Sequence, residues 1–233
     1  GYYYLTSRLK MIRALLLALV LLPVDVLVAQ NDDVNTVGRK MPEDAAPLSD
    51  QVYRYLSFEP ISLDIGVTLY QSSESEFMYD RLCMLNYKNE LVPGAADRWE
   101  VSADGLTWTF YLRNTAKWSD GRFVTAHDFE WSFKRFIHPE SGNVYASFYY
   151  DIKGAKAHVQ GENMDPGSIG VSALDDHTLI IETENPCAYL PYLLAYPTSA
   201  PAPRWQVEKY GNKWTLPENW VGNSSYQLEN WWT

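Results

Sequence analysis

The side chains that could carry reaction chemistry are few and poorly grouped. Histidine occurs four times, as His127, His138, His158 and His177, and cysteine twice, as Cys83 and Cys187. A zinc or catalytic metal site needs ligands spaced to converge, as in CxxC or HExxH, and neither pattern occurs. No GxSxG elbow or phosphate-binding loop is present. No metal and no cofactor is therefore expected. Asp175 and Asp176 are adjacent carboxylates, and paired carboxylates can share acid–base work. These two stand between apolar, alternating runs, where consecutive aspartates favour a turn. A secreted hydrolase built on them is the enzyme alternative, and catalytic residues are otherwise expected to be absent. The two cysteines are left open between a disulfide of an exported protein and two buried thiols.

The elements that would position such residues are clearest in residues 96–136. Leu106, Trp108, Phe110 and Leu112 alternate with Thr107, Thr109, Tyr111 and Arg113, a period of two that predicts a half-buried strand. Asp104-Gly105 predicts a tight turn that pairs this strand with the run ending at Val101. Trp118-Ser119-Asp120-Gly121 marks a second turn. Thr125 stands three residues before Asp128, a capping-box spacing, and Phe129, Phe133, Phe136 and Ile137 follow at helical intervals until Pro139. Residues 169–181 predict two strands around Asp175-Asp176, and short helices are expected at 74–85, 152–160 and 189–196. Pro203 and Gly211 bracket one more. Residues 52–56 alternate as a strand. Hairpins interleaved with amphipathic helices predict a mixed α/β fold of the α+β kind.

The chain has 233 residues, 46% hydrophobic and 21% charged, enough for one or two domains with a core. Its formal net charge of −10 excludes nucleic acid and anionic membranes as natural partners. Aromatic residues reach 15%, with 17 tyrosines and nine tryptophans, supplying recognition surface as well as core. Near the N-terminus, Met11-Ile12-Arg13 precedes an apolar run at 14–22 that is too short to span a bilayer, and Leu27-Val28-Ala29 offers a cleavage site. Residues 11–29 thus predict a cleaved signal peptide and residues 1–10 translated upstream sequence. Residues 30–50 predict a disordered mature N-terminus, and the signal segment predicts an exported, periplasmic protein.

The stretch LTWTFYLRNTAKWSDGRFVTAHDFEWSFKR, with its ordered LR, AKWSDG, VTA and DF elements, resembles the signature region of the bacterial extracellular solute-binding proteins of family five. Those are peptide-binding subunits of ABC importers. GVSALDDHTLIIETENP resembles the oligopeptide-binding branch. The resemblance implies the first lobe of a two-lobed, type II-like periplasmic-binding fold, with the second lobe lacking. It implies a monomer that takes a peptide ligand and hands it to importer permease subunits. Residues 51–69 would then hold the first strands of the ligand-binding lobe, 70–218 a small α+β subdomain, and 219–233 a return strand. Phe58-Glu59-Pro60-Ile61-Ser62-Leu63-Asp64 is similar to the family's first strand and its SLDP turn, which places Glu59 and Ile61 against the peptide. Tyr145-Ala146-Ser147-Phe148 is similar to the family's YASY segment, which gives Tyr145 the same role. Two departures stand out. Leu82-Cys83-Met84-Leu85 replaces the family's YEGL element, and Ser224-Ser225 replaces Gly-Pro. A truncated, non-functional gene product is the remaining alternative.

Overall fold

The computed structural model describes residues 40–45, 47, 50, 60, 62–67, 75–228 and 230. The expected signal peptide, the expected upstream residues, the strand expected at 52–56 and most of the expected disordered segment lie outside them. In chain order the elements are α1 (Ser75–Met78), β1 (Cys83–Leu85), β2 (Leu91–Pro93), β3 (Ala96–Val101), β4 (Thr107–Leu112), α2 (Ala126–Phe136), α3 (Ala155–Val159), β5 (Val171–Asp175), β6 (Thr178–Glu182), α4 (Leu190–Leu193) and α5 (Arg204–Tyr210).

Alternation sets the central sheet. Trp108, Phe110 and Leu112 turn one face of β4 inward, and Leu179 and Ile181 do the same on β6. The strands run β3-β4-β6-β5, antiparallel throughout, with Trp108 opposite Ile181 and Phe110 opposite Leu179. Helix α2 lies across β5 and β6 and presents Phe129, Phe133 and Phe136 to this apolar face. Its start is fixed as the sequence predicts. The Asp128 carboxylate accepts the Thr125 backbone N–H at 2.8 Å and the Trp118 indole N–H at 3.2 Å. The turn at Trp118–Gly121 closes with a 2.9 Å bond from the Gly121 N–H to the Trp118 carbonyl.

A second apolar cluster gathers Leu63, Ile65, Met78, Tyr79, Trp214 and Trp220. The indoles of Trp214 and Trp220 stack at 5.7 Å. This cluster joins the segment at 62–67 to residues near the other end of the described chain.

Two expectations need correction. The helix expected at 74–85 is one turn long; Cys83–Leu85 is instead strand β1, paired with β2. Asn86 decides it. Its side-chain oxygen accepts the N–H groups of Lys88 and Glu90 at 2.8 and 3.0 Å, and Asn89 takes a left-handed φ of 60°, so the chain reverses as a hairpin. The return strand expected at 219–233 is the other case: residues 219–228 form no strand. The Asn223 side chain stands in for a ladder there, accepting the Asp80 N–H at 3.2 Å and donating to the Asp80 carbonyl at 2.9 Å. Ser224, where glycine is usual, donates its hydroxyl to the Phe77 carbonyl at 2.7 Å.

Candidate functional site

Of the three residues expected to face a ligand, Glu59 and Ile61 lie outside the described residues. Tyr145 is described, half-buried, at the head of a 3-10 turn over Ala146–Tyr149. Asn143 sets this turn: its side-chain oxygen accepts the Tyr145 N–H at 2.9 Å, and its amide donates to the Ile65 carbonyl at 3.2 Å. The turn is thereby tied to the segment that directly follows Ile61 in sequence.

Tyr145 is one of three rings in mutual contact. Its centroid is 5.2 Å from Phe148 and 6.0 Å from Tyr196, and Phe148 and Tyr196 are 5.9 Å apart. Phe148 and Tyr196 are 44% and 39% exposed, so the group is an accessible aromatic surface rather than core. Beneath it Tyr149 is fully buried. Its ring meets Phe133 and Phe136 edge-on at 5.2 and 5.5 Å, and its hydroxyl bonds with the Thr198 hydroxyl and donates to the Leu193 carbonyl. Burial drives the Tyr149 pKa well up, keeping it a neutral donor. The turn carrying Tyr145 and Phe148 and the turn after Tyr196 (Pro197–Ser199) are therefore fastened to each other and to α2. Sequence reasoning singled out Tyr145 and missed its two companions. The crowding of aromatics at 143–150 and 189–196 was the signal available.

A second polar centre lies in the other apolar cluster. The Asp64 carboxylate, 5% exposed, accepts two bonds from the Arg135 guanidinium at 3.0 and 2.6 Å, the Trp214 indole N–H at 2.8 Å and the Gly66 N–H at 2.9 Å. A Cβ at Gly66 would stand 2.2 Å from Arg135 Nη1, so only glycine leaves room for this pair. Every oxygen lone pair of Asp64 is occupied by fixed donors, which is the arrangement of an anchor rather than of a proton-transfer group.

The remaining candidates fall as follows. His127, His138 and His158, scattered in sequence, line one groove of about 880 Å³ beside α2 that does not include Tyr145. His138 and His158 meet ring to ring at 5.7 Å, and His127 faces Asp176 at 3.6 Å. Among the described residues no three His, Cys, Asp or Glu side chains converge to hold a metal. Asp175 accepts the His177 N–H at 2.8 Å and the Thr178 hydroxyl at 3.1 Å, bonds that hold its carboxyl below the usual range. That is a turn-forming carboxylate. Cys83 and Cys187 are both buried and unpaired with each other, and burial pushes the Cys83 thiol up to about 12.

Residues 90–233 match the sequence profile described as bacterial extracellular solute-binding proteins, family 5 Middle. The chain belongs to that family. The family 5 relatives include the periplasmic oligopeptide-binding protein OppA of Salmonella typhimurium, 40% identical over 163 residues, which cover 69% of this chain and 30% of that protein. The periplasmic murein peptide-binding protein MppA of Escherichia coli is 37% identical over 183 residues, 77% of this chain and 34% of that one. In three dimensions the chain superposes on Haemophilus influenzae OppA, solved in complex with RPPGFSPFR, with a TM-score of 0.70 and 36% identity over 74% of this chain and 34% of that one. The fold is thus mixed α/β and resembles one lobe of these family 5 proteins, and the chain spans about a third of their length. The relatives named here are binding proteins rather than enzymes. Tyr145 falls within the matched residues; Glu59 and Ile61 precede them.

Proposed function

We propose that this chain supplies one lobe of a periplasmic, peptide-capturing component of an ABC importer. The observation that carries the reading is Tyr145, held on a fastened turn with its ring at an accessible aromatic surface, in a chain whose family 5 relatives include oligopeptide-binding proteins. A phenol packs its ring against a ligand and still bonds a peptide carbonyl. Glu59 and Ile61 contact the same peptide from the chain segment before Ser62. Residues 51–69 and 70–218 act as strand segment and small subdomain of the lobe, and 219–233 returns the chain toward the remainder of a two-lobed protein. Such lobes close on a ligand between them. The protein works as a monomer, delivers its ligand to permease subunits and performs no catalysis. Residues 11–29 direct export and are removed.

The test is a hybrid in which the Salmonella typhimurium OppA sequence beyond the matched segment continues this chain, titrated by calorimetry with di- to pentapeptides. The hybrid binds peptides of widely varied sequence, because backbone and termini are common to all. Tyr145→Ala weakens binding by about 1–2 kcal/mol, one buried hydrogen bond and some packing. Glu59→Ala also weakens it, and Asp176→Ala, in the turn, does not. A folded hybrid that binds no peptide, or binds a sugar instead, overturns the reading.

A further inference from the structure

Tyr145, Phe148 and Tyr196 do more than surround one hydrogen-bonding phenol. We infer that the three rings form a side-chain subsite that selects apolar, above all aromatic, residues of a bound peptide. The inference rests on the peptide-binding reading and deepens it.

Three observations carry it. The rings hold each other: the contacts at 5.2, 5.9 and 6.0 Å, with interplanar angles of 79°, 59° and 47°, leave each ring tilted against its neighbours and little free to turn. They are also held from below, since Tyr149 and Thr198 bond the two turns together under them. An aromatic surface already fixed in place costs little ordering when a ligand group lies on it. Finally, the two segments that build the surface carry no charged side chain of their own. The chain carries 48 Asp, Glu, Lys and Arg (19 + 29), yet none occurs in 143–150 or in 189–199, the two segments that build the surface. The nearby Tyr189 hydroxyl is taken by Asp151, which lies outside both segments. An aromatic ligand side chain gains edge and face contacts with all three rings.

The experiment is a titration of the 233-residue chain, followed by NMR of its aromatic side chains, with Ala-Phe-Ala, Ala-Leu-Ala and Ala-Gln-Ala into the millimolar range. The peptides share backbone and termini and differ in one uncharged side chain. The expected result is that resonances of Phe148 and Tyr196 move, and that Ala-Phe-Ala binds about three- to tenfold more tightly than Ala-Gln-Ala, with Ala-Leu-Ala between. Phe148→Ala removes this preference, whereas Phe148→Tyr, which keeps a ring, retains it. Equal affinity for all three peptides, or a preference that survives Phe148→Ala in a chain with an unchanged amide spectrum, overturns the subsite while leaving peptide binding in place. Absence of any shift with all three overturns it as well, and calorimetry on the hybrid then reports separately whether peptide binding itself fails.

Discussion

Replacing Arg135 by methionine keeps an apolar stem and removes the guanidinium that pairs with Asp64. The carboxylate it leaves is 5% exposed, and Arg135 itself is 23% exposed, so solvent cannot take over the pairing. Breaking a buried pair from one side costs about 3–5 kcal/mol, because the other charge stays buried without compensation. Trp214 and Gly66 still donate to Asp64, which places the expected loss near the lower end, about 3 kcal/mol. Asp64→Asn combined with Arg135→Met removes the stranded charge, and the amide oxygen can accept one of the two remaining donors. The double variant is therefore expected to be more stable than Arg135→Met alone by about 1–2 kcal/mol. Equilibrium urea unfolding followed by tryptophan fluorescence reads this directly, since Trp214 and Trp220 stack beside the site. The midpoint should move while the slope stays constant. If Arg135→Met unfolds within about 0.5 kcal/mol of the parent, or the double variant loses the sum of the two single losses, Asp64 and Arg135 do not act as a buried couple.

Other outcomes follow from the same geometry. Tyr149→Phe removes the bonds to Thr198 and the Leu193 carbonyl with no loss of ring packing and is expected to cost about 1–2 kcal/mol, measured by thermal unfolding. Burial raises the Asp128 pKa despite the bonds it accepts from Thr125 and Trp118. A raised folded-state pKa contributes stability that is present below the unfolded value and lost as pH rises through the folded one. Urea unfolding at stepped acid pH should thus show the parent gaining on the Asp128→Asn variant as pH falls through that range; a gap that does not change with pH refutes the assignment. A thiol reagent at neutral pH is expected to modify neither Cys83 nor Cys187 in the folded chain and both in urea; rapid labelling of Cys83 without denaturant would contradict its burial.

What could be read from the sequence was what repeats locally. The β3–β4 hairpin was visible in the alternation around Asp104-Gly105, and α2 in the spacing of Phe129, Phe133 and Phe136 behind the Thr125–Asp128 box. The β1–β2 hairpin was lost because Phe77, Leu82 and Leu85 also fit a helical period, and three-residue strands are too short to display their own. The reversal rests on Asn86 and Asn89, and two asparagines signal a turn less strongly than apolar residues at helical spacing signal a helix. The Asp64–Arg135 couple and the Tyr145–Phe148–Tyr196 surface had no local pattern at all. Asp64 and Arg135 are 71 positions apart, and Tyr149 reaches Thr198 across 49. Such pairs are created by the way α2 and the turns pack, and only a family resemblance pointed to one member, Tyr145.

The second apolar cluster has a consequence for the order in which this chain folds. The indole of Trp214 bonds Asp64 across 150 positions, while most of the first cluster is assembled from the hairpins and helix between them. Contacts of such sequence separation form late, because a long loop must close before they return any stabilisation. Until that loop closes, Leu63, Ile65 and Tyr79 are without the two tryptophans that cover them. Exposed apolar surface on a partly folded chain is prone to aggregation. The segment around Asp64 is accordingly the last apolar surface of the described chain to be covered, and the docking of Trp214 completes it.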